Sequence, residues 1–454
     1  MNAIFRSFFA RCLVFLIASS VGQSALGKPN ILFIVADDLG YADCGVQGCV
    51  DIPTPHIDSI AKAGIRFTDA YVTGPVCSPS RAGLMTGRYH QRDGVDDWVR
   101  PGGSGLVAEV PTIASYLSAA GYRCALIGKW HLGEEGADHP LRRGFEHFFG
   151  VLGGECHYLP DRTSALSQER MRYSGIFRNR DAVEPKEYVT DVFGREAVDF
   201  IRGQRDGARP FFLYLSFNAV HTPLEAPVDG LARFSKIADP RRRIYAAMLA
   251  AMDENIGRVL AALHETGLEK DTLICFLSDN GGPITRNAPN GATNTPLRGG
   301  KGQTWEGGIR VPMFMKWSGV LEPGMETRPV IQMDLTATAL KLAGLRPDAA
   351  WPLDGIDLLP FLKGCGGDPH RMLCWGYEDQ WAIRKGDWKL VFGESSGAVE
   401  LSQPGLFDLR SDRSEAQDLA AKYPEKVQDM QRDWQAWSRE VKGSKRVPSG
   451  DGWR

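Results

Sequence analysis

The chain carries no excess of charge of either sign. Lys and Arg total 53 against 55 Asp and Glu, a formal charge of −2. Neither nucleic acid nor an anionic membrane is therefore an expected partner, and an anionic ligand would need a local pocket. Beyond the N-terminal segment no apolar run is long enough to span a bilayer, so the mature form is expected to have no membrane span. Internal repeats and low-complexity segments are missing. Cysteine is sparse: nine in 454 residues is too few for a disulfide scaffold, and no paired C-x-x-C argues for structural zinc. The remainder is globular composition, 43% hydrophobic and 24% charged, with ample apolar material for a core.

Residues 1–27 run from Arg6 and Arg11 through an apolar stretch at 13–18 to Ala25-Leu26-Gly27. This is the pattern of a cleaved signal peptide, and its apolar run falls short of the roughly 20 residues a span requires. The expected mature protein is secreted or periplasmic, where disulfides are permitted. Cys12 would leave with the signal and eight cysteines would remain. Cys44 with Cys49, and Cys365 with Cys374, are close enough in sequence to bridge, with free buried thiols as the alternative.

Four β-branched and apolar runs each stop at polar, chemically capable residues. Asn30–Ala36 ends at Asp37-Asp38, 124–128 leads to Lys129-Trp130-His131, 211–217 to Asn218-Ala219-Val220-His221, and 272–277 to Ser278-Asp279-Asn280. Such runs are how buried parallel strands read. Helical patterns over 112–120, 243–263 and 333–343 lie among them, which predicts an α/β fold with a mainly parallel sheet flanked by helices. Ligands gather beyond the carboxyl ends of such strands, so one mouth could collect all four polar ends. Past 345–370 the character changes. Residues 381–392 read as a hairpin turning at Lys385-Gly386-Asp387, and 425–441 as a terminal helix. We expect a large domain over 28–355 and a smaller C-terminal α+β domain over 356–454.

Asp37, Asp38, Asp279 and the Asn280 amide offer hard oxygen ligands that suit Ca²⁺ or Mg²⁺ and poorly suit zinc or copper. Adjacent aspartates also cap helices; a second strand ending in Asp279-Asn280 favours the metal. The most specific segment is Cys77-Ser78-Pro79-Ser80-Arg81 followed by Leu84-Met85-Thr86-Gly87. With Gly121-Tyr122-Arg123-Cys124-Ala125-Leu126-Ile127-Gly128-Lys129-Trp130-His131, it closely resembles the two signatures of the type I sulfatases. Cys124 departs from the second signature, which usually has Ser or Thr there. The Asn218–Pro227 region (218–227) looks most like the branch containing arylsulfatase B and related glycan sulfatases.

The resemblance implies an alkaline phosphatase-like fold in the large domain and hydrolysis of sulfate esters, with a sulfated carbohydrate or another sulfate ester as substrate. It implies that Cys77 is oxidised to Cα-formylglycine by a formylglycine-generating or other sulfatase-maturing enzyme, and that calcium is held by Asp37, Asp38, Asp279, Asn280 and an oxygen of modified Cys77. A hydrated aldehyde supplies two hydroxyls: one attacks sulfur, and deprotonation of the other expels sulfate and restores the aldehyde. In the family pattern His131 is the base for that release and Arg81 holds the hydrate. Lys129 and Lys301 fit as fixed cations for the sulfuryl oxygens, and His221 as general acid, a role Lys301 could share. His157, in the loop Gly153-Gly154-Glu155-Cys156-His157-Tyr158, is a candidate sugar contact, with a plain surface loop as the alternative. Two other functions stay open: a phosphonate or phosphate ester hydrolase of the same superfamily, and, with Cys77 unmodified, a non-catalytic binder of sulfated glycans.

Overall fold

The computed structural model describes residues 27–163, 166–284, 289–393 and 403–443. The expected signal segment, Gly27 apart, lies outside them. Among the described residues no helix is long and apolar enough to cross a membrane.

Ten strands form one sheet in the order Gly324–Glu326, Ile65–Phe67, Met313–Lys316, Thr272–Ser278, Asn30–Ala36, Phe211–Ser216, Arg123–Lys129, His147–Val151, Ile176–Arg178, Asp181–Val183. The five from Thr272–Ser278 to His147–Val151 run parallel. Antiparallel pairing begins on either side of them, at Met313–Lys316 and Ile176–Arg178. Period-2 alternation explains why the central strands read as unbroken apolar runs. Ile31, Phe33 and Val35 join one hydrophobic cluster, while Leu32, Ile34 and Ala36 join a second on the other face, and all six are fully buried.

Each face is covered by helices whose ends the sequence marks. Cys77–Thr86, Ile113–Ala119 and Met333–Leu342 contribute to the Phe33 cluster; Val189–Arg202 and Pro240–Glu265 contribute to the Ile34 cluster. Thr112 caps Ile113–Ala119 through a reciprocal pair with Ser115, and Asp239 caps the long helix by accepting from Arg241 N, with Pro240 at its first position. These devices satisfy backbone N–H groups that have no partner inside the helix.

The strands Leu373–Tyr377, Gln380–Lys385, Trp388–Phe392 and Gly405–Asp408 make a separate antiparallel sheet. The expected hairpin turns at Gly386, whose φ of 59° is one that glycine adopts without strain. The terminal helix Pro424–Gly443 packs Met430, Trp437 and Val441 against this sheet, in a cluster that also takes in Tyr71, Trp305 and Ile309. A buried ion network reinforces that contact. Lys389 lies 3.0 Å from Glu306 and 2.8 Å from Glu415, and Glu306 lies 3.1 Å from Arg310, all four fully enclosed. The small sheet is thereby fastened to the segment that follows Lys301.

All eight cysteines outside the signal are free thiols, so neither sequence-close pair forms a bridge. Cys374 is buried within a strand while Cys365 is exposed, and the Cys49 thiol faces Asp51 and Arg242.

Candidate active site

The four polar strand ends meet at one edge because their strands are parallel neighbours. Asp37 and Asp279 extend the ladder, Asp37 N donating to Ala219 O and Asp279 N to Ala36 O. The chain then turns sharply: Asp38 and His131 take φ of 64° and 57°, a left-handed conformation that non-glycine residues seldom adopt. Cys77 opens the helix Cys77–Thr86, and Arg81, four residues on, shares its face. Lys301 arrives from an irregular loop in which Gly302 N donates to Pro75 O and Gly302 O accepts from Gln380 of the small sheet.

Three buried carboxylates meet three cations here. Lys129 Nζ lies 2.6 Å from Asp37 Oδ2, and Lys301 Nζ lies 2.7 Å from Asp38 Oδ1. Arg81 donates twice to Asp279 Oδ2, at 3.0 and 2.7 Å, and its remaining nitrogen donates to Lys129 O and Ser216 Oγ. Its guanidinium is thus committed to fixing Asp279 and the end of the Lys129 strand. Burial raises the Asp279 carboxyl, with Asp37 adding to the rise. Burial would raise Asp38 too, but Lys301 and His221, with hydrogen bonds from Lys301 and Asn280, outweigh it and hold that carboxyl at about 2.

Two histidines complete the ring. His131 Nε2 lies 3.0 Å from Val99 O, which can only accept, so Nε2 carries the proton and Nδ1 keeps an open lone pair. Among the described residues Nδ1 has no hydrogen-bond partner. Burial, Lys129 and Arg81 push His131 well below its usual range, so it is neutral near pH 7. His221 Nδ1 faces Thr222 O at 2.5 Å, which leaves Nε2 turned to Asp38 Oδ2 at 3.7 Å. Burial, with Lys301 adding, lowers His221 to about 4.

Donor atoms of Asp37, Asp38, Cys77 and His221 lie within 4.8 Å of one another. Asp279 joins through Asp38 N, which donates to its Oδ1 at 3.2 Å, and Asn280 through Nδ2, which donates to Asp38 Oδ1 at 2.7 Å. Among the described residues the buried Asn280 Oδ1 atom has no hydrogen-bond partner, a costly arrangement that a ligand would repair. Asp37, Asp38, Asp279 and this amide oxygen form the hard, oxygen-rich set that fits Ca²⁺. The Cys77 thiol is 3.8 Å from Asp37 Oδ1, and burial pushes it up to about 11. A thiol held protonated in this way is a poor nucleophile.

Above the carboxylates lies a cavity of about 530 Å³ lined by Cys77, His131, His221 and Lys301, and walled by Trp98, Pro101, Glu155, Arg170, Tyr173 and Ser174. Lys129 and Asp37 lie below, out of solvent. Trp98, Arg170 and Tyr173 escaped sequence reasoning: they sit between strands without a motif, and only the tertiary path brings them together. Tyr173 OH lies 3.2 Å from His131 Nε2. Gly154 makes that packing possible, since a Cβ there would stand 2.6 Å from His131 Cε1 and 2.4 Å from Tyr173 OH. His157 lines a neighbouring cavity of about 270 Å³ instead, held by Glu225 at 2.8 Å.

The Sulfatase family model matches residues 29–345. The chain is 32% identical over 414 residues to N-acetylgalactosamine-6-sulfatase of Canis lupus familiaris, a match covering 86% of this chain and 77% of that one. It is 33% identical over 442 residues to arylsulfatase A of Homo sapiens, covering 89% and 86%. Among solved structures, Ps i-CgsB in complex with k-i-k-neocarrahexaose aligns with a TM-score of 0.85 at 37% identity, over 93% of this chain and 94% of that one. With the strand-end cluster and the Cys77 helix in place, these similarities identify the chain as a member of the type I sulfatase family and a sulfuric ester hydrolase.

Proposed function

We propose that the protein removes sulfate esters from sulfated carbohydrates, using residue 77 as nucleophile after its oxidation to formylglycine and calcium held by Asp37, Asp38, Asp279 and Asn280. The observation that carries this reading is the position of Cys77. It opens into the cavity beside His131, His221 and Lys301 and rests on the carboxylates, yet its thiol is protonated and cannot serve as it stands. The neocarrahexaose bound by one similar structure and the aminosugar named for one relative support a glycan substrate.

As the hydrated aldehyde, residue 77 would supply one hydroxyl to attack sulfur and a second whose deprotonation releases sulfate. Calcium would lower the pKa of an oxygen ligand and offset negative charge. The chain's own groups do the rest. Lys301 meets the sulfuryl oxygens from the cavity wall, and Lys129 supports them from below through Asp37, both fixed before reaction and needing little reorganisation. His131, with Nε2–H held by Val99, takes the proton of the second hydroxyl on Nδ1. His221 hands a proton from Nε2 to the leaving oxygen; the negative charge of a bound sulfate favours its protonated form, and Lys301 stands beside it to share the role. Arg81 keeps Asp279 and the Lys129 strand end in register. Since every residue lining the cavity precedes 302, catalysis is assigned to the domain over 28–355 and a buttressing role to 356–454. Formation of the aldehyde would require a formylglycine-generating or other sulfatase-maturing enzyme, and the N-terminal segment favours a secreted or periplasmic site of action.

The test is to compare kcat/KM on the sulfate and phosphate monoesters of one aryl alcohol, with Cys77→Ala as control. We expect sulfate release to dominate and to vanish in the variant. Dominant phosphate release would overturn the reading.

A further inference from the structure

The cations at the reaction centre are committed: Lys129 to Asp37, Lys301 to Asp38, and Arg81 to Asp279. Arg170 is not. Its side chain is exposed on the short helix Gln168–Ser174 and lines both the main cavity and the smaller one holding His157. Among the described residues no carboxylate lies within ion-pair distance of it, whereas Arg172, two positions on, pairs with Glu135 at 3.2 Å. The helix is anchored to the reaction centre: Gly153 N donates to Tyr173 O, and Tyr173 OH meets His131. Arg170 and Ser174 are one turn apart and share a face. Glu155 and Ser174 border both cavities as well, so Arg170 stands where one space opens into the next.

A guanidinium presents five donors in a planar fork, keeps its charge at any working pH, and binds sulfate or carboxylate bidentately. Glu155 on the same wall disfavours a free inorganic anion but accepts hydrogen bonds from hydroxyls, and Trp98 and Tyr173 offer aromatic faces. This combination suits an anionic group borne on a polyhydroxyl ring. Resting on the sulfatase reading above, we infer that Arg170 is a specificity determinant: it binds a second anionic group, sulfate or carboxylate, on the sugar unit beside the one that is desulfated, and the His157 cavity receives that unit.

The test compares wild type, Arg170→Ala and Arg170→Lys on three disaccharides that share one cleavable sulfate. The adjoining sugar carries no charge, a second sulfate, or a carboxylate. Charge-assisted hydrogen bonds of this type change affinity by about tenfold to a hundredfold. We expect the wild-type preference for a doubly anionic substrate, as a ratio of kcat/KM to the singly anionic one, to fall at least about tenfold in Arg170→Ala. The loss should lie mainly in KM and be recovered only in part by Arg170→Lys; whichever arm falls tells sulfate from carboxylate. An unchanged ratio, or a wild type without preference, overturns the inference. Calorimetric binding of the same disaccharides to Cys77→Ala protein, with and without Arg170→Ala, decides the matter without turnover. Absence of all sulfate release by the wild type would therefore defeat the sulfatase reading while Arg170 is still judged on binding.

Discussion

The Lys129 ammonium and the Asp37 carboxylate, 92 residues apart in sequence, meet at 2.6 Å with neither side chain exposed. Removing Lys129 leaves the buried Asp37 carboxylate with only the Arg81 guanidinium, 3.8 Å away, as a cationic partner, and breaking a buried pair in this way costs about 3–5 kcal/mol. Lys129→Ala should therefore lose stability on that scale, read by denaturant unfolding, as well as activity. Lys301 is about one-fifth exposed, so Lys301→Ala should lose activity with a clearly smaller loss of stability.

Gly154 lies against the rings that set His131. A methyl group would stand 2.6 Å from His131 Cε1 and 2.7 Å from its Nε2, inside van der Waals contact. Gly154→Ala should displace the His131–Val99 hydrogen bond and lower kcat at least about tenfold, in line with the sensitivity of catalysis to small misplacements. Steady-state kinetics alongside thermal unfolding would separate this from general destabilisation; a kcat equal to wild type would contradict the packing.

The proposed calcium site has a measurable signature, since among the described residues the buried Asn280 Oδ1 has no hydrogen-bond partner. Binding to the native state alone stabilises by mass action, about 2.7 kcal/mol at a hundredfold excess over Kd. Calcium should raise the Tm of the wild type, chelation should lower it and stop turnover, and Asn280→Ala should shift the calcium dependence of Tm to higher concentration.

Much of this site is legible in the sequence because strand ends are punctuation. Asn30–Ala36 stops at an Asp pair in the structure as in the string, and the runs before Lys129, His221 and Asp279 do likewise, since a buried parallel strand tolerates polar groups only where it leaves the sheet. The helix over 243–263 falls inside the observed Pro240–Glu265, which begins earlier because Asp239 and Pro240 form its start. The strands Ile65–Phe67 and Met313–Lys316, which flank the parallel core of the sheet on one side, are too short for periodicity to reveal. Arg170, Trp98 and Tyr173 were invisible for another reason: their neighbourhood is made by loops folding back over the strand ends. Arg81 carried a motif, but its guanidinium points to Asp279, a contact that no spacing encodes.

Away from the reaction centre, His370 Nε2 lies 2.9 Å from both oxygens of Asp334, which also accepts from Ile331 N and Ile356 N. Burial lowers the His370 pKa, but Asp334 outweighs it and the net shift is upward. A histidine whose folded pKa is raised contributes stability that is complete below its unfolded pKa, about 6.5, and is lost as pH rises through the folded value. The stability difference between wild type and His370→Ala should thus be larger at acidic than at alkaline pH. Urea unfolding across that range reads it directly, and a gap that widens with rising pH would contradict the sign.

The most direct test joins the state of residue 77 to turnover. The mass of the tryptic peptide 67–81 shows whether the CH₂SH group of Cys77 has become CHO, and the same preparations can be assayed for sulfate release. We expect a lighter peptide in protein made with a maturing enzyme and specific activity proportional to the converted fraction. Full activity in protein whose peptide carries only unmodified cysteine would contradict the assignment of residue 77 as the oxidised nucleophile.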